Sequence, residues 1–175
     1  SKWLVIALYG ALIVWKHDAE ALWVAMGCAI NSWLGIALKH ILNHERPILT
    51  LRSDPGMPSS HSQSIFFGVL YVILLMVKCV GLNGNTVFAV VLTLCSGSYL
   101  SWLRVSHKLH TISQVLVGAV LGAMFSVLWF QAWYAFVLRA FAASLGVRIA
   151  VLLGTASIGV CFLLYIFRNG FAEKL

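Results

Sequence analysis

The sequence predicts an all-α membrane protein, a bundle of six transmembrane helices, and three observations predict it. Of 175 residues, 61% are hydrophobic and 10% charged, with a mean hydropathy of +0.94, whereas an ordinary soluble domain is about a quarter charged. Apolar runs recur at Trp3 to Trp15, Ala19 to Leu42, Ser64 to Leu82, Thr86 to Leu103, Ile112 to Leu138 and Val147 to Phe167, and a span needs roughly 20 apolar residues. All but the short first run approach or exceed that length. The polar residues, finally, gather at the ends of the runs. No repeat, low-complexity tract or second composition interrupts the pattern, so residues 1–175 are expected to form a single domain. The chain begins with Ser1 and not Met, as removal of a leader would leave it.

A net charge of +7 would suggest a nucleic-acid partner in a soluble protein. Here the basic residues are scattered at helix ends, with no basic tract and no recognition motif, so no nucleic acid is expected. Cys28, Cys79, Cys95 and Cys161 stand alone inside apolar runs, without C-x-x-C spacing. They read as small buried hydrophobes and not as disulfide or metal ligands.

In chain order, the first run closes at Trp15-Lys16-His17-Asp18, a polar turn that sends the chain back as a second helix. Polar residues interrupt the lower half of that helix at Asn31, Lys39, Asn43 and Arg46. Lys39, Asn43 and Arg46 fall at i, i+4 and i+7, one helical face, and Pro47 stops the helix. Two readings stay open for the cations: snorkelling at the membrane interface, or convergence on an anion. His40 and His44 have metal-ligand spacing beside Glu45, but they face away from Lys39 and no second ligand cluster exists, so no metal is assigned. The one long polar loop, Ile48 to Met57, leads to Pro58-Ser59-Ser60-His61-Ser62-Gln63. Ser60 and Gln63 have the spacing of a capping box, with Ser60 as N-cap. The amides of such a helix start, backed by its dipole, form an anion seat, with His61 at its mouth; a capped helix carrying an incidental His is the alternative.

The third helix ends near Lys78, and Gly81-Leu82-Asn83-Gly84-Asn85 turns the chain back. The fourth reaches Trp102-Leu103, and Arg104 to His110 follows as a third polar island. His110 and Gln114, at i and i+4 on the start of the fifth helix, meet side by side. Gly118 and Gly122 form G-x-x-x-G, which lets a neighbour approach closely. The last run reads as scaffold. Parity joins the islands. If the second helix ends on one face of the membrane, the third starts there, crosses away, and the fourth crosses back. Arg104 and His110 therefore share the face of Arg46 and His61.

The three islands, Lys39-x6-Arg46-Pro47, Pro58-Ser59-Ser60-His61 and Arg104-x5-His110-x3-Gln114, resemble the signature of the type 2 phosphatidic acid phosphatase superfamily: Lys-x6-Arg-Pro, Pro-Ser-Gly-His and Ser-Arg-x5-His-x3-Asp. From about Trp23 onward the chain is more closely similar to the plant plastid lipid phosphate phosphatases of the epsilon type, through Leu51 to His61 and Trp102 to His110. The resemblance implies the six-helix fold of the phosphatidic acid phosphatase/haloperoxidase type. It implies hydrolysis of phosphatidate to diacylglycerol and phosphate with no Mg2+ or other cofactor, in a plastid membrane such as the inner envelope. It also implies His110 as nucleophile, His61 as acid to the leaving oxygen, and Lys39, Arg46, Ser59, Ser60 and Arg104 as ligands of the phosphoryl oxygens. The expected partners are the lipid phosphate substrate and the surrounding membrane lipids.

Three positions depart from the signature. Ser60 replaces Gly, Leu103 replaces the Ser before Arg104, and Gln114 replaces the Asp that orients the nucleophile. A Gln carbonyl accepts from Nδ1-H and holds the tautomer, but it cannot offset imidazolium charge. The same Gln, with Pro-Ser-Ser-His-Ser-Gln, resembles dolichyl diphosphate phosphatases and makes a prenyl diphosphate the alternative substrate. A non-catalytic phospholipid-binding scaffold is a further alternative. A transporter fits less well, because the polar residues cluster at one face and do not line a path across the bilayer.

Overall fold

In hydrocarbon every backbone N–H and C=O must be satisfied within the segment, so each apolar run has one outcome, a helix. The structure, a computed structural model, describes residues 19–42 and 57–172. Among them α1 spans Ala19–Leu42, α2 Ser60–Val80, α3 Gly84–Ser106, α4 Ile112–Ala143 and α5 Leu145–Ala172. The helices α1 to α4 are long and apolar enough to cross a membrane, and α5 carries a shorter apolar stretch, Leu145–Cys161. The run Trp3 to Trp15, the residues Asn43 and Arg46 and the loop before Met57 lie outside the described residues.

The helix ends follow local chemistry. Ser59, extended at φ −71° and ψ 100°, caps α2, and its side chain accepts from the Ser62 amide at 3.5 Å. The cap is therefore Ser59 and not Ser60, which is the first helical residue. Gly81, at φ 76°, ends α2 in a region that L side chains rarely adopt. Asn83 then caps α3: its Oδ1 accepts from the Thr86 amide at 2.9 Å and from the Thr86 hydroxyl at 3.0 Å. Near its end α4 passes through a π-helical turn, Trp133–Val137, in which the Leu138 amide donates to the Trp133 carbonyl. Hydrophobic periodicity gives no sign of that turn, because the residues around it are apolar on every face.

The described residues form two compact units, 30–131 and 19–29 with 132–172. In the first, Phe67 is fully buried, with ring centroids 5.7 Å from Phe125, and Tyr71 meets Phe130 edge-on at 5.4 Å. Gly97 lets α3 approach α2 closely, since a Cβ there would lie 2.7 Å from a Val69 methyl. In the second unit, Trp133 stacks obliquely on Trp23 at 5.8 Å, and the Tyr134 hydroxyl donates to Glu20 at 2.7 Å. Arg148 donates to the carbonyls of Phe141 and Ala142 at 2.7 and 3.2 Å.

Burial runs opposite to a soluble protein. Asn31, Ser59, Ser62, Gln63, Gln114 and Ser126 are at most 1% exposed, while Ile41, Phe88, Leu128 and Leu153 face outward. That is the distribution expected when the solvent is lipid and polar side chains serve as interhelical glue. The cysteines follow it too: Cys79, Cys95 and Cys161 are exposed and Cys28 half-buried. The expectation of buried thiols is corrected, because in such a solvent a small apolar side chain loses nothing by facing out.

Replacing Asn83 by Ala removes a cap that satisfies a helix-end donor, and it is expected to cost about 1 kcal/mol. Thermal unfolding in detergent micelles checks this; an unchanged midpoint would show that water or detergent replaces the cap at no cost.

Candidate active site

The start of α2 is seated on the start of α4. The Ser59 amide donates to the Gln114 carbonyl at 3.1 Å, and the Gln63 amide donates to the Ser59 carbonyl at 2.9 Å as the first helical bond. Two glycines make that approach possible. A Cβ on Gly118 would lie 2.6 Å from the Ser59 carbonyl oxygen, and one on Gly122 would collide with the Gln63 carbonyl. The G-x-x-x-G spacing thus receives α2's first turn, the segment that carries Ser59, Ser60 and His61. One backbone bond puts the second and third polar islands on the same face, as parity requires.

A second contact lies deeper. The Ser62 hydroxyl donates to the Val115 carbonyl at 2.9 Å and lies 3.4 Å from the Ser101 hydroxyl, which ties α2 to both α3 and α4 one turn from the surface. Ser101 lies one turn before Arg104, so the bond also fixes the end of α3. Between α3 and α4 the chain reverses tightly. The Leu109 amide donates to the Arg104 carbonyl at 3.1 Å and the Lys108 amide to the Val105 carbonyl at 2.8 Å. Lys108 takes a left-handed conformation, φ 54°. This turn holds Arg104 and His110 a fixed six residues apart on one end of the bundle.

His110 is buried, 7% exposed, and Gln114 is fully buried. The Gln114 Oε1 atom lies 3.2 Å from His110 Nδ1 and also accepts from the Thr111 amide at 3.1 Å. The second bond decides the first. A backbone amide can only donate, so the atom facing it must be the side-chain oxygen; the same oxygen then requires a proton on Nδ1. Nδ1 of His110 therefore carries a proton. The Thr111 hydroxyl completes the turn, accepting from the Gln114 amide at 3.3 Å and lying 2.9 Å from Ser113 Oγ.

Of the remaining predicted residues, His61 occupies the second helical position of α2 and is half-buried, as is Ser60 before it. Both residues belong to the first turn of α2, the part of a helix whose amides have no intrahelical acceptor. Arg104 sits in the last turn of α3 and Lys39 in the last turn of α1, both half-buried. Arg46 lies outside the described residues. Sequence reasoning did not single out Thr111, Ser62 or Ser101. The hydroxyl periodicity that joins Ser62 to Ser101 could not be told from ordinary helix serines, whereas Thr111 was legible as the residue before a helix start.

Residues 20–138 match the PAP2 superfamily. The chain is 47% identical over 173 residues to lipid phosphate phosphatase epsilon 2, chloroplastic, of Arabidopsis thaliana, covering 99% of this chain and 60% of that protein. It is 48% identical over 174 residues to epsilon 1, chloroplastic, of the same plant, with coverages of 99% and 62%. Dolichyldiphosphatase 1 of Mus musculus is 30% identical over 142 residues, covering 74% of this chain and 60% of that one. The chain thus spans about three fifths of the length of these relatives. No solved structure matches.

The seating of α2 predicts opposite signs for two kinds of glycine. Gly159 has open space around it, so Gly159→Ala should add up to about 1 kcal/mol of stability through helix propensity. Gly122→Ala should lose about 1 to 3 kcal/mol despite the same propensity gain, because the methyl meets backbone that cannot rotate away. Unfolding midpoints of the two variants in one detergent check it; a parallel rise in both would remove the close packing.

Proposed function

The chain belongs to the PAP2 superfamily, and from that premise we propose that it is a multi-pass membrane phosphatase acting on a lipid phosphate monoester, phosphatidate, through a phosphohistidine. The observation that supports the reading is the double acceptance at Gln114 Oε1, from the Thr111 amide and His110 Nδ1; with Nδ1 so occupied, Nε2 is the nitrogen this reading makes the nucleophile. In the first step Nε2 attacks phosphorus, the P–N bond forms, the P–O bond to the glycerol breaks, and His61 gives its proton to the departing oxygen. In the second, water attacks phosphorus, its proton passes to His61, the P–N bond breaks and phosphate leaves. Splitting one displacement into two is the advantage of a covalent intermediate.

Phosphoryl transfer asks the protein mainly for position and for charge opposite the equatorial oxygens. Lys39, Arg46 and Arg104 supply that charge without a metal in this reading, joined by Ser59, Ser60 and the opening amides of α2. A lipid substrate is supported by an apolar groove of about 240 Å3 lined by Phe66 of α2, Trp102 and Val105 of α3, and Ile112, Leu116 and Ala119 of α4. Ser101, which meets Ser62 of the first turn of α2, also lines it. The names of the plant relatives point to a plastid membrane, the inner envelope being the assignment that fits a lipid phosphate phosphatase of that type.

A second reading rests on Gln114 itself and on the likeness to dolichyldiphosphatases: a prenyl diphosphate as substrate. Phosphatidate expels an alkoxide, whereas a diphosphate expels a phosphate that needs little protonation.

Wild-type protein should release phosphate from detergent-dispersed phosphatidate in EDTA, and His110→Ala should lower the rate at least about a thousandfold, the order expected when a covalent nucleophile is lost. A failure of the wild type on every lipid phosphate tried would leave the scaffold reading standing. His61→Ala should cost phosphatidate hydrolysis roughly 10^2 to 10^4, the worth of a general acid, and prenyl diphosphate hydrolysis clearly less. Equal losses on the two substrates would remove His61 as leaving-group acid.

A further inference from the structure

Gln63 has no part in the chemistry just described, yet it is among the most buried polar side chains of the unit. It is 1% exposed, and its Nε2 donates to both the backbone carbonyl and the side-chain oxygen of Asn31, each at 3.0 Å. Asn31 is fully buried too. The capping-box spacing implied that Gln63 would turn back to the start of its own helix. The side chain instead crosses to α1, and Ser59 does the capping alone.

The pair is an expensive way to join two helices. Among the described residues Asn31 Nδ2 and Gln63 Oε1 are buried without a hydrogen-bond partner, and each such atom forfeits its solvation. A leucine pair would pack in lipid without that cost. The two helices also approach closely here, since a Cβ on Gly35 would lie 2.7 Å from Gln63 Oε1 and 3.5 Å from Ser60 Oγ. What two leucines would not provide is register. Two-point donation to one residue fixes how far α1 slides along α2, the use for which buried amides are best attested.

The register matters because of what lies one turn further. Asn31, Gly35 and Lys39 follow at i, i+4 and i+8 on one strip of α1. Asn31 is abreast of Gln63, and Gly35 abreast of Gln63 and Ser60. With α1 and α2 running in opposite directions, the next step brings the backbone of Lys39 level with the start of α2. We propose that the Asn31–Gln63 amide clamp is a positioning device, holding the cation-bearing end of α1 in register with the helix start that carries Ser59 to His61. The inference rests on the phosphatase reading for its activity readout.

The test uses Gln63→Met, which keeps length and volume, Asn31→Leu on the other helix, their double variant, and Gln63→Glu as the conservative replacement that, protonated at this depth, still donates. Three quantities are measured in detergent: kcat and KM on phosphatidate, the melting temperature, and the affinity for orthovanadate, a five-coordinate analogue of phosphoryl transfer, from its thermal protection. Each single apolar variant should lower kcat about 10- to 100-fold, the penalty of a shift of about 1 Å, and weaken vanadate by a similar factor. The melting temperature should fall modestly in each single variant, which leaves the partner amide buried and unpaired, and should hold or rise in the double variant, while KM stays within about threefold in all three. The double variant should be no worse than either single one, and Gln63→Glu, whose one O–H can make only one of the two bonds, should recover part of the loss. Unchanged kcat and vanadate affinity in the apolar variants would overturn the clamp, as would losses explained by the fraction unfolded. A wild type inactive on all lipid phosphates would sink the phosphatase reading, and vanadate affinity would still decide the clamp. A wild type that binds no vanadate either would sink both.

Discussion

One backbone hydrogen bond, from the Ser59 amide to the Gln114 carbonyl, organises the unit 30–131. It exists because Gly118 and Gly122 leave the flank of α4 bare, so that another main chain, and not a side chain, can lie against it. Once the first turn of α2 is seated there, much follows from connectivity. His61 is two residues from the contact, Ser62 reaches Val115 and Ser101, and the short turn after Arg104 delivers His110. A site assembled from distant parts of the chain thus depends on a contact made mostly of peptide groups, which do not change rotamer. That is a sound basis for chemistry governed by orientation.

Gln114 serves both the architecture and the histidine. Its carbonyl receives Ser59, its amide donates to Thr111, and its side-chain oxygen takes the Thr111 amide and His110 Nδ1. An Asp in this place would add charge. A Gln brings a fixed polarity, since the Thr111 amide permits only one orientation of the side-chain amide. The Nδ1 proton is therefore secured without an anion, and what is given up is only the stabilisation of an imidazolium. A displacement with a good leaving group builds less of that charge, which is how this residue would suit a diphosphate under the second reading.

The helices were legible because lipid leaves one solution for an apolar run; α1 occupies the same residues, Ala19 to Leu42, as its run. The three islands were legible because charge is rare in such a chain, and the pairing of His110 with Gln114 because i and i+4 meet on any helix. The capping box was misread for a physical reason. A Gln at the third helical position has two partners available, the backbone behind it and whatever packs beside it, and only the tertiary structure reveals Asn31 there. The π-helical turn at Trp133–Val137 leaves no trace in composition. The cysteine faces were misjudged by a habit taken from soluble proteins, in which sulfur hides from water.

The interior seam of Asn31, Ser62, Gln63, Gln114 and Ser126 is made of neutral amides and hydroxyls, with the His110 imidazole against Gln114 at its end. A charged residue at mid-helix costs roughly 2.5 to 3.5 kcal/mol to insert, enough to stall a segment during biogenesis, whereas neutral amides and hydroxyls cost less. Each helix can therefore enter the bilayer singly and find its partners afterwards by lateral diffusion. Lys39 and Arg104 lie in the last turns of α1 and α3, where headgroups and water can receive charge during synthesis.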